Sequence, residues 1–148
     1  MAETIGWILK NKSSGGIWSI APEATVYDAL TMMAERQVGA LLVISGGTLV
    51  GIISERDYAR KIILQGRLSK ETAVQEIMTG AMHTVTVDDT VDGCMRVMTH
   101  HHIRHLPVFD GGKLVGVVSI GDLVNAIISE QARTIDHLHT YIGANYPA

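Results

Sequence analysis

The chain has almost no cysteine, no long apolar run and no excess of positive charge, and each shortage closes a class of function. Its single cysteine in 148 residues, Cys94, cannot form an internal disulfide, so covalent staples do not hold this fold. There is no apolar run of about 20 residues and no signal-peptide pattern, which leads to the expectation of a cytoplasmic protein with no membrane partner. A formal net charge of −3 argues against general binding to nucleic acid. Neither a Gly-x-Ser-x-Gly elbow nor a Gly-x-x-x-x-Gly-Lys phosphate loop occurs, so two common enzyme sites are missing. Charged residues make up only 18% against 47% apolar, which supplies a substantial core and excludes wholesale disorder.

What is present is said twice. Residues 18–60 align without a gap on residues 83–125, at a constant offset of 65. Identities include Thr25/Thr90, Val26/Val91, Met33/Met98, Val43/Val108, Gly46-Gly47/Gly111-Gly112, Leu49-Val50-Gly51/Leu114-Val115-Gly116, Ser54/Ser119 and Asp57/Asp122. One copy of roughly 60 to 70 residues is marginal alone. Two copies are too few for a solenoid, so a closed pseudo-twofold pair is expected.

Within the first copy, Ile17 to Pro22 reads as a short strand. Thr25 reads as the N-cap of a helix, with Asp28 as a weak capping-box partner; Val26, Leu30, Met33 and Ala34 form its apolar stripe, and it ends near Gly39. Ala40 to Ile44 is too short and too apolar for a surface helix and predicts a buried strand. Gly46-Gly47 signals a hairpin, Leu49 to Ile53 the returning strand, and Ser54 the N-cap of a second helix. The second copy repeats this order, with Thr90 and Ser119 as caps. Ile5 to Lys10 and Val74 to Thr79 resemble each other as helical lead-ins, the first joined to its strand through a flexible Lys12-Ser-Ser-Gly-Gly16. The expected divisions are 1–66 (first repeat with its lead-in), 67–73 (linker), 74–130 (second repeat) and 131–148 (a helical tail with Gly143 as its stop).

The pattern with most chemistry is Gly-hydrophobic-hydrophobic-Ser-x-x-Asp, as Gly51-Ile-Ile-Ser-Glu-Arg-Asp57 and Gly116-Val-Val-Ser-Ile-Gly-Asp122. A helix start offers unpaired backbone N–H groups to a phosphate. The serine can serve a phosphate oxygen, and the aspartate can accept both hydrogens of a ribose diol. The plain alternative is ordinary capping that binds nothing. Arg104 and His105 add a permanent cation and an imidazole at the entrance to the second buried strand, and Arg56 adds a cation in the first copy. Their plain alternative is surface ion pairing, Arg56 with Glu55 or Asp57. The copies differ here, because Glu55-Arg56 becomes Ile120-Gly121 and Gly39-Ala40 becomes Arg104-His105.

With its Gly-h-h-Ser-x-x-Asp end and its Arg104-His-Leu-Pro-Val108 strand, the duplicated unit resembles the cystathionine β-synthase (CBS) domain. The tandem pair resembles a Bateman module, and in particular the small stand-alone bacterial CBS-pair proteins, over residues from about Ile5 to about Ile128. That resemblance implies an α+β fold (an α/β sandwich) of two β-α-β-β-α repeats packed with pseudo-twofold symmetry, plus a C-terminal helix. It also implies a homodimer, a regulated partner protein, no catalysis, and clefts for adenosine-containing ligands: AMP, ADP, ATP, NAD or S-adenosylmethionine. Carried over by position, the first cleft would use Gly39, Ile52, Ile53, Ser54, Glu55, Arg56, Asp57, His83, Arg104 and His105. The second would use Trp18, Gly39, Ala40, Arg104, Val117, Val118, Ser119, Ile120, Gly121 and Asp122. With Gly121 in place of an arginine, the second cleft is expected to be the poorer in cations.

Other signals lead elsewhere. His100, His101, His102 and His105 invite a metal reading, but consecutive His100 to His102 point about 100° apart on a helix, which suits a metal poorly, and His137 and His139 are weaker still. Met32, Met33, Met95 and Met98 fit helical core faces, and Cys94 fits a buried small hydrophobe. Tyr141 and Tyr146 fit cover for apolar surface or for a dimer partner. Two rival functions stand beside the regulatory module: a scaffold with vestigial clefts, and an unrecognised enzyme.

Overall fold

A computed structural model describes residues 3–12 and 17–139 in full and the helical backbone of 140–145. The spacer residues 13–16 and Tyr146 therefore lie outside the described residues, as do the side chains of Tyr141 and Ile142. The architecture is mixed α and β, in two compact units: residues 16–83, and residues 84–148 together with 1–15.

In the unit of residues 16–83, strand β1 (Ser19–Ile20) leads to helix α2 (Val26–Arg36), then β2 (Ala40–Ser45) and β3 (Thr48–Ser54). A short helix α3 (Glu55–Tyr58), a π-helical turn over Ala59–Ile63 and helix α4 (Val74–Ile77) complete it. The sheet order is β1-β2-β3, with β1 parallel and β3 antiparallel to β2. Leu41, Leu42 and Val43 are all buried, as the continuous apolar run requires of a central strand. Thr25 caps α2 by accepting the Asp28 amide at 3.1 Å, and Val26, Ala29 and Met33 form its buried face. Gly46 and Gly47 both have positive φ, 56° and 81°, the conformation of a tight hairpin turn.

The other unit repeats this plan 65 residues on. Strand β4 (Val85–Thr86), helix α5 (Val91–His101), β5 (His105–Asp110) and β6 (Lys113–Ser119) run into helix α6 (Ile120–Asn145). The hairpin irregularity between Val43 and Ile44 recurs between Val108 and Phe109. One difference has a simple cause. The parallel ladder begins at Ser19↔Leu42 in the first sheet, but one position later, at Val85↔Val108, in the second. Leu42 donates its amide to Trp18 O at 3.1 Å; its counterpart Pro107 has no N–H to give.

The lead-ins are exchanged relative to chain order. Helix α1 (Ile5–Asn11) precedes the first repeat in sequence but docks on the second. Ile5 and Gly6 donate to Asp89 O and Val87 O, both at 2.9 Å, and Val91 donates to Glu3 O at 3.1 Å. Helix α4 makes the equivalent set on the first repeat: Val74 to Ala24 O, Gln75 to Pro22 O, and Val26 to Thr72 O. Ile5 and Ile8 then join Val85, Val91, Cys94, Met98, Leu106, Val108, Val118 and Leu123 in one core. Burial pushes the Cys94 thiol up to about 11, with Asp89 adding to the shift, so this cysteine behaves as a core hydrophobe.

Two helix ends differ from expectation. The left-handed residue that ends α2 is Gln37, and His102 takes that place after α5, each with φ 56°. Gly39 lies beyond the turn. Helix α6 continues through Gly143 to Asn145, because a glycine inside a helix costs only about 1 kcal/mol. No helix among the described residues is long and apolar enough to cross a membrane.

Candidate functional site

The two Ser-x-x-Asp segments adopt the same local structure. Ser54 is extended, with φ −126° and ψ 166°, and its hydroxyl accepts the Asp57 amide at 3.2 Å. In return Asp57 Oδ2 accepts the Ser54 amide at 2.9 Å and the Ser54 hydroxyl at 3.1 Å. In the other unit Asp122 Oδ2 accepts the Ser119 amide at 2.8 Å, and Ser119 Oγ accepts the Asp122 amide at 3.1 Å. These are reciprocal capping boxes. Both aspartates are thus fixed in orientation at the junction of strand and helix.

This geometry corrects one expectation. The N–H groups at the helix starts are largely engaged, because the amide of Glu55 bonds to Gly39 O at 3.1 Å and that of Ile120 to Arg104 O at 2.8 Å. The serines supply the next acceptors. What each segment can offer a ligand is therefore side-chain chemistry.

The same bonds bring the strand entrances to the helix starts. Ala40 pairs with Ser54, and His105 with Ser119, across their hairpins. Gly39, Ala40, Ser54, Glu55, Arg56 and Asp57 therefore gather in one unit, and Arg104, His105, Ser119, Ile120, Gly121 and Asp122 in the other. The alternation of β3 and β6 sorts the apolar candidates. Ile53 and Val118 are 1% and 0% exposed and belong to the cores, so their side chains are not ligand surface; Ile52 and Val117 are half-buried on the opposite face. Trp18 lies under the Arg36 guanidinium, 4.2 Å from its ring centre. His83 is exposed in the loop before β4.

Two residues that the sequence motifs did not single out complete the site. Lys61 Nζ lies 3.0 Å from Asp57 Oδ1 and donates to Ile77 O at 2.8 Å. Lys12 Nζ lies 3.0 Å from Asp122 Oδ2 and donates to Val117 O at 3.1 Å. Lys61, from the π-helical turn, is thus a cation on Asp57 in addition to the Arg56 named from sequence. His105 senses the second cluster: burial holds its imidazole below the ordinary value, Lys12 and Arg104 push the same way, and Asp122 opposes them.

Ser119 Oγ is bonded to the Asp122 amide, and the Asp122 carboxylate to the Ser119 amide and Lys12, which makes a cap and an ion pair. His100 and His101 meet edge-on with ring centres 4.7 Å apart, and no three His, Cys, Asp or Glu among the described residues are gathered as for a metal ion.

Comparison with known proteins agrees with this duplicated plan. The CBS-domain family model matches twice, at residues 15–64 and 74–129. A mitochondrial CBS domain-containing protein of Arabidopsis thaliana is 45% identical over 143 residues, covering 93% of this chain and 69% of that protein. The solved structure of a signal-transduction protein with CBS domains from Burkholderia ambifaria is 51% identical and superposes with a TM-score of 0.83, over 86% of this chain and 96% of that one. A CBS domain pair solved with 5′-methylthioadenosine and S-adenosylmethionine shares the fold, at 24% identity and a TM-score of 0.76, over 88% and 99% of the chains.

Proposed function

Because the chain belongs to the CBS-domain family, with two copies along its length, we propose that it is a regulatory module that binds an adenosine-containing ligand (AMP, ADP, ATP or NAD) at its Ser-x-x-Asp segments. Occupancy is signalled to a partner protein by a change of conformation, and the chain itself catalyses no reaction. The observation that carries this reading is the identical restraint of Asp57 and Asp122, whose Oδ2 atoms accept the serine amides at 2.9 and 2.8 Å. A carboxylate fixed in that way is preorganised to accept two hydrogens from a vicinal diol such as that of ribose. A lysine beside each aspartate suits a phosphate on the same nucleoside. Ile52 and Val117, half-buried on the face of their strands opposite the core residues Ile53 and Val118, provide apolar contact for a base.

Thermal unfolding with AMP, ADP, ATP, NAD and S-adenosylmethionine tests this. A ligand that binds the folded state raises the midpoint by mass action, equivalent to about 2.7 kcal/mol at a hundredfold excess over Kd. A rise with at least one compound, abolished when Asp57 and Asp122 are both replaced by alanine, is the expected result. No rise with any of them favours a scaffold, and turnover of any of them makes the protein an enzyme.

A further inference from the structure

The two units follow one plan so closely that their cations can be compared position by position. In the unit of residues 16–83, the lysine on the aspartate comes from the helix itself, Lys61, four residues after Asp57. The residue 65 positions after Lys61 is Ala126, which is buried. Arg56 corresponds to Gly121 and Arg60 to Asn125, so α6 carries no basic residue before Arg133. Over residues 120–128, α6 has none of the three cations that its counterpart carries at Arg56, Arg60 and Lys61.

The lead-ins show the opposite exchange. Because α1 docks on its unit as α4 docks on the other, Ile5 corresponds to Val74, Leu9 to Met78 and Lys12 to Ala81. Where the helix supplies lysine the lead-in has Ala81, and where the helix has Ala126 the lead-in supplies Lys12. The cation therefore reaches the same aspartate by two unrelated routes, and both arrive at 3.0 Å. Stability alone explains this poorly, because a partly exposed ion pair contributes at most about 1 kcal/mol.

The surroundings of Lys12 suit an anion. Its ammonium has three donors, of which Asp122 Oδ2 and Val117 O take two. Burial lowers the pKa of His105, and the exposed Arg104 stands close enough to act on that imidazole.

We propose that Lys12 is a ligand-contacting residue of the Ser119–Asp122 site, where its ammonium takes a phosphate oxygen while Asp122 takes the ribose, so that this site selects anionic over neutral adenosine compounds. This inference rests on the adenosine-binding function proposed above and names the chemistry that selects the ligand. It also gives the second copy one cation, Lys12, that the alignment of the repeats alone does not supply.

Titration calorimetry of the full chain with AMP and with adenosine tests it on the wild type, Lys12→Gln and Lys12→Arg. The expected result is a loss of about tenfold in AMP affinity at one site in Lys12→Gln, with adenosine changed by less than about twofold and Lys12→Arg close to wild type. Unchanged AMP binding in Lys12→Gln overturns the proposal. So do equal losses for AMP and adenosine, which would mean that Lys12 only positions Asp122. If the wild type binds neither compound, the adenosine function itself fails and this inference with it. Thermal unfolding of each variant verifies that it is folded.

Discussion

Met78 occupies the space that a side chain at residue 51 would fill: a Cβ on Gly51 would stand 2.6 Å from Met78 Sδ and 3.1 Å from the Thr79 carbonyl oxygen. Leu9 covers Gly116 in the same way, with its nearest methyl 3.1 Å from that position. The Leu-Val-Gly run shared by the repeats thus has a packing cause, since each glycine seats the apolar residue of a docked lead-in. Gly51→Ala should cost about 1–3 kcal/mol, measured by urea unfolding. Gly116→Ala should cost less, because only flexible leucine methyls must give way. Equal losses would contradict this account of the two seats.

Gln37 and His102 hold the left-handed conformation that ends α2 and α5, where a side chain costs about 1–2 kcal/mol and glycine avoids the strain. Gln37→Gly is expected to stabilise the protein by about 0.5–1 kcal/mol. A fall in the urea midpoint of this variant would show that the side chain makes a compensating contact.

These cases mark what was legible in the sequence. The repeat, the four caps, the hairpin turns and the buried strands could be read because local rules decide them, and Thr25, Thr90, Ser54 and Ser119 all cap as expected. The helix ends near Gly39 as expected, but the left-handed turn falls on Gln37 rather than on the glycine, because a side chain can hold that conformation at a modest cost. The exchange of lead-ins could not be read, because α1 and α4 have similar patterns and nothing local says which repeat each will join. Lys12 escaped notice for the same reason: it reaches Asp122 across 110 positions of chain. One signal was nevertheless available, in the reciprocal pairs Lys61/Ala126 and Lys12/Ala81.

The docking of α1 gives a sharper test of that exchange. Ile5 is fully buried, and the Val91 amide is held by Glu3 O. Ile5→Ala should cost about 2–5 kcal/mol and should speed hydrogen exchange at the Val91 amide. The Val26 amide, held in the corresponding way by Thr72 O, is the internal comparison. Unchanged exchange at Val91 would mean that α1 does not depend on this core contact.

His105 predicts a pH dependence. Burial is the main cause that lowers its pKa in the folded chain below the ordinary 6.5, so the unfolded state takes up a proton first as pH falls. Stability from the neutral imidazole is complete above about pH 6.5 and declines as pH falls from there toward the folded value. Urea midpoints at pH 7.5 and 5.5 should differ less in His105→Asn than in the wild type, which locates that part of the slope in this residue. An identical pH response in both proteins would contradict it.

Ser119 and Asp122 open a helix that runs 26 residues, from Ile120 to Asn145, a length of about 39 Å at 1.5 Å per residue. Ser54 and Asp57 open only four α-helical residues before the π-helical turn. Of the two Ser-x-x-Asp segments, the second therefore stands at the head of a long helix, whose later turns expose Ile128, Ile135 and Leu138. A ligand moves such an element only if it binds one arrangement more tightly than another; the contact proposed with Asp122 and Lys12 would provide a route, since α6 and the lead-in meet at that ion pair. Saturation with AMP should slow hydrogen exchange over residues 120–126 and alter it further along the tail. Lys12→Gln should weaken both effects together. Exchange over residues 124–142 that is unaltered by saturating AMP would rule out α6 as the element that reports occupancy.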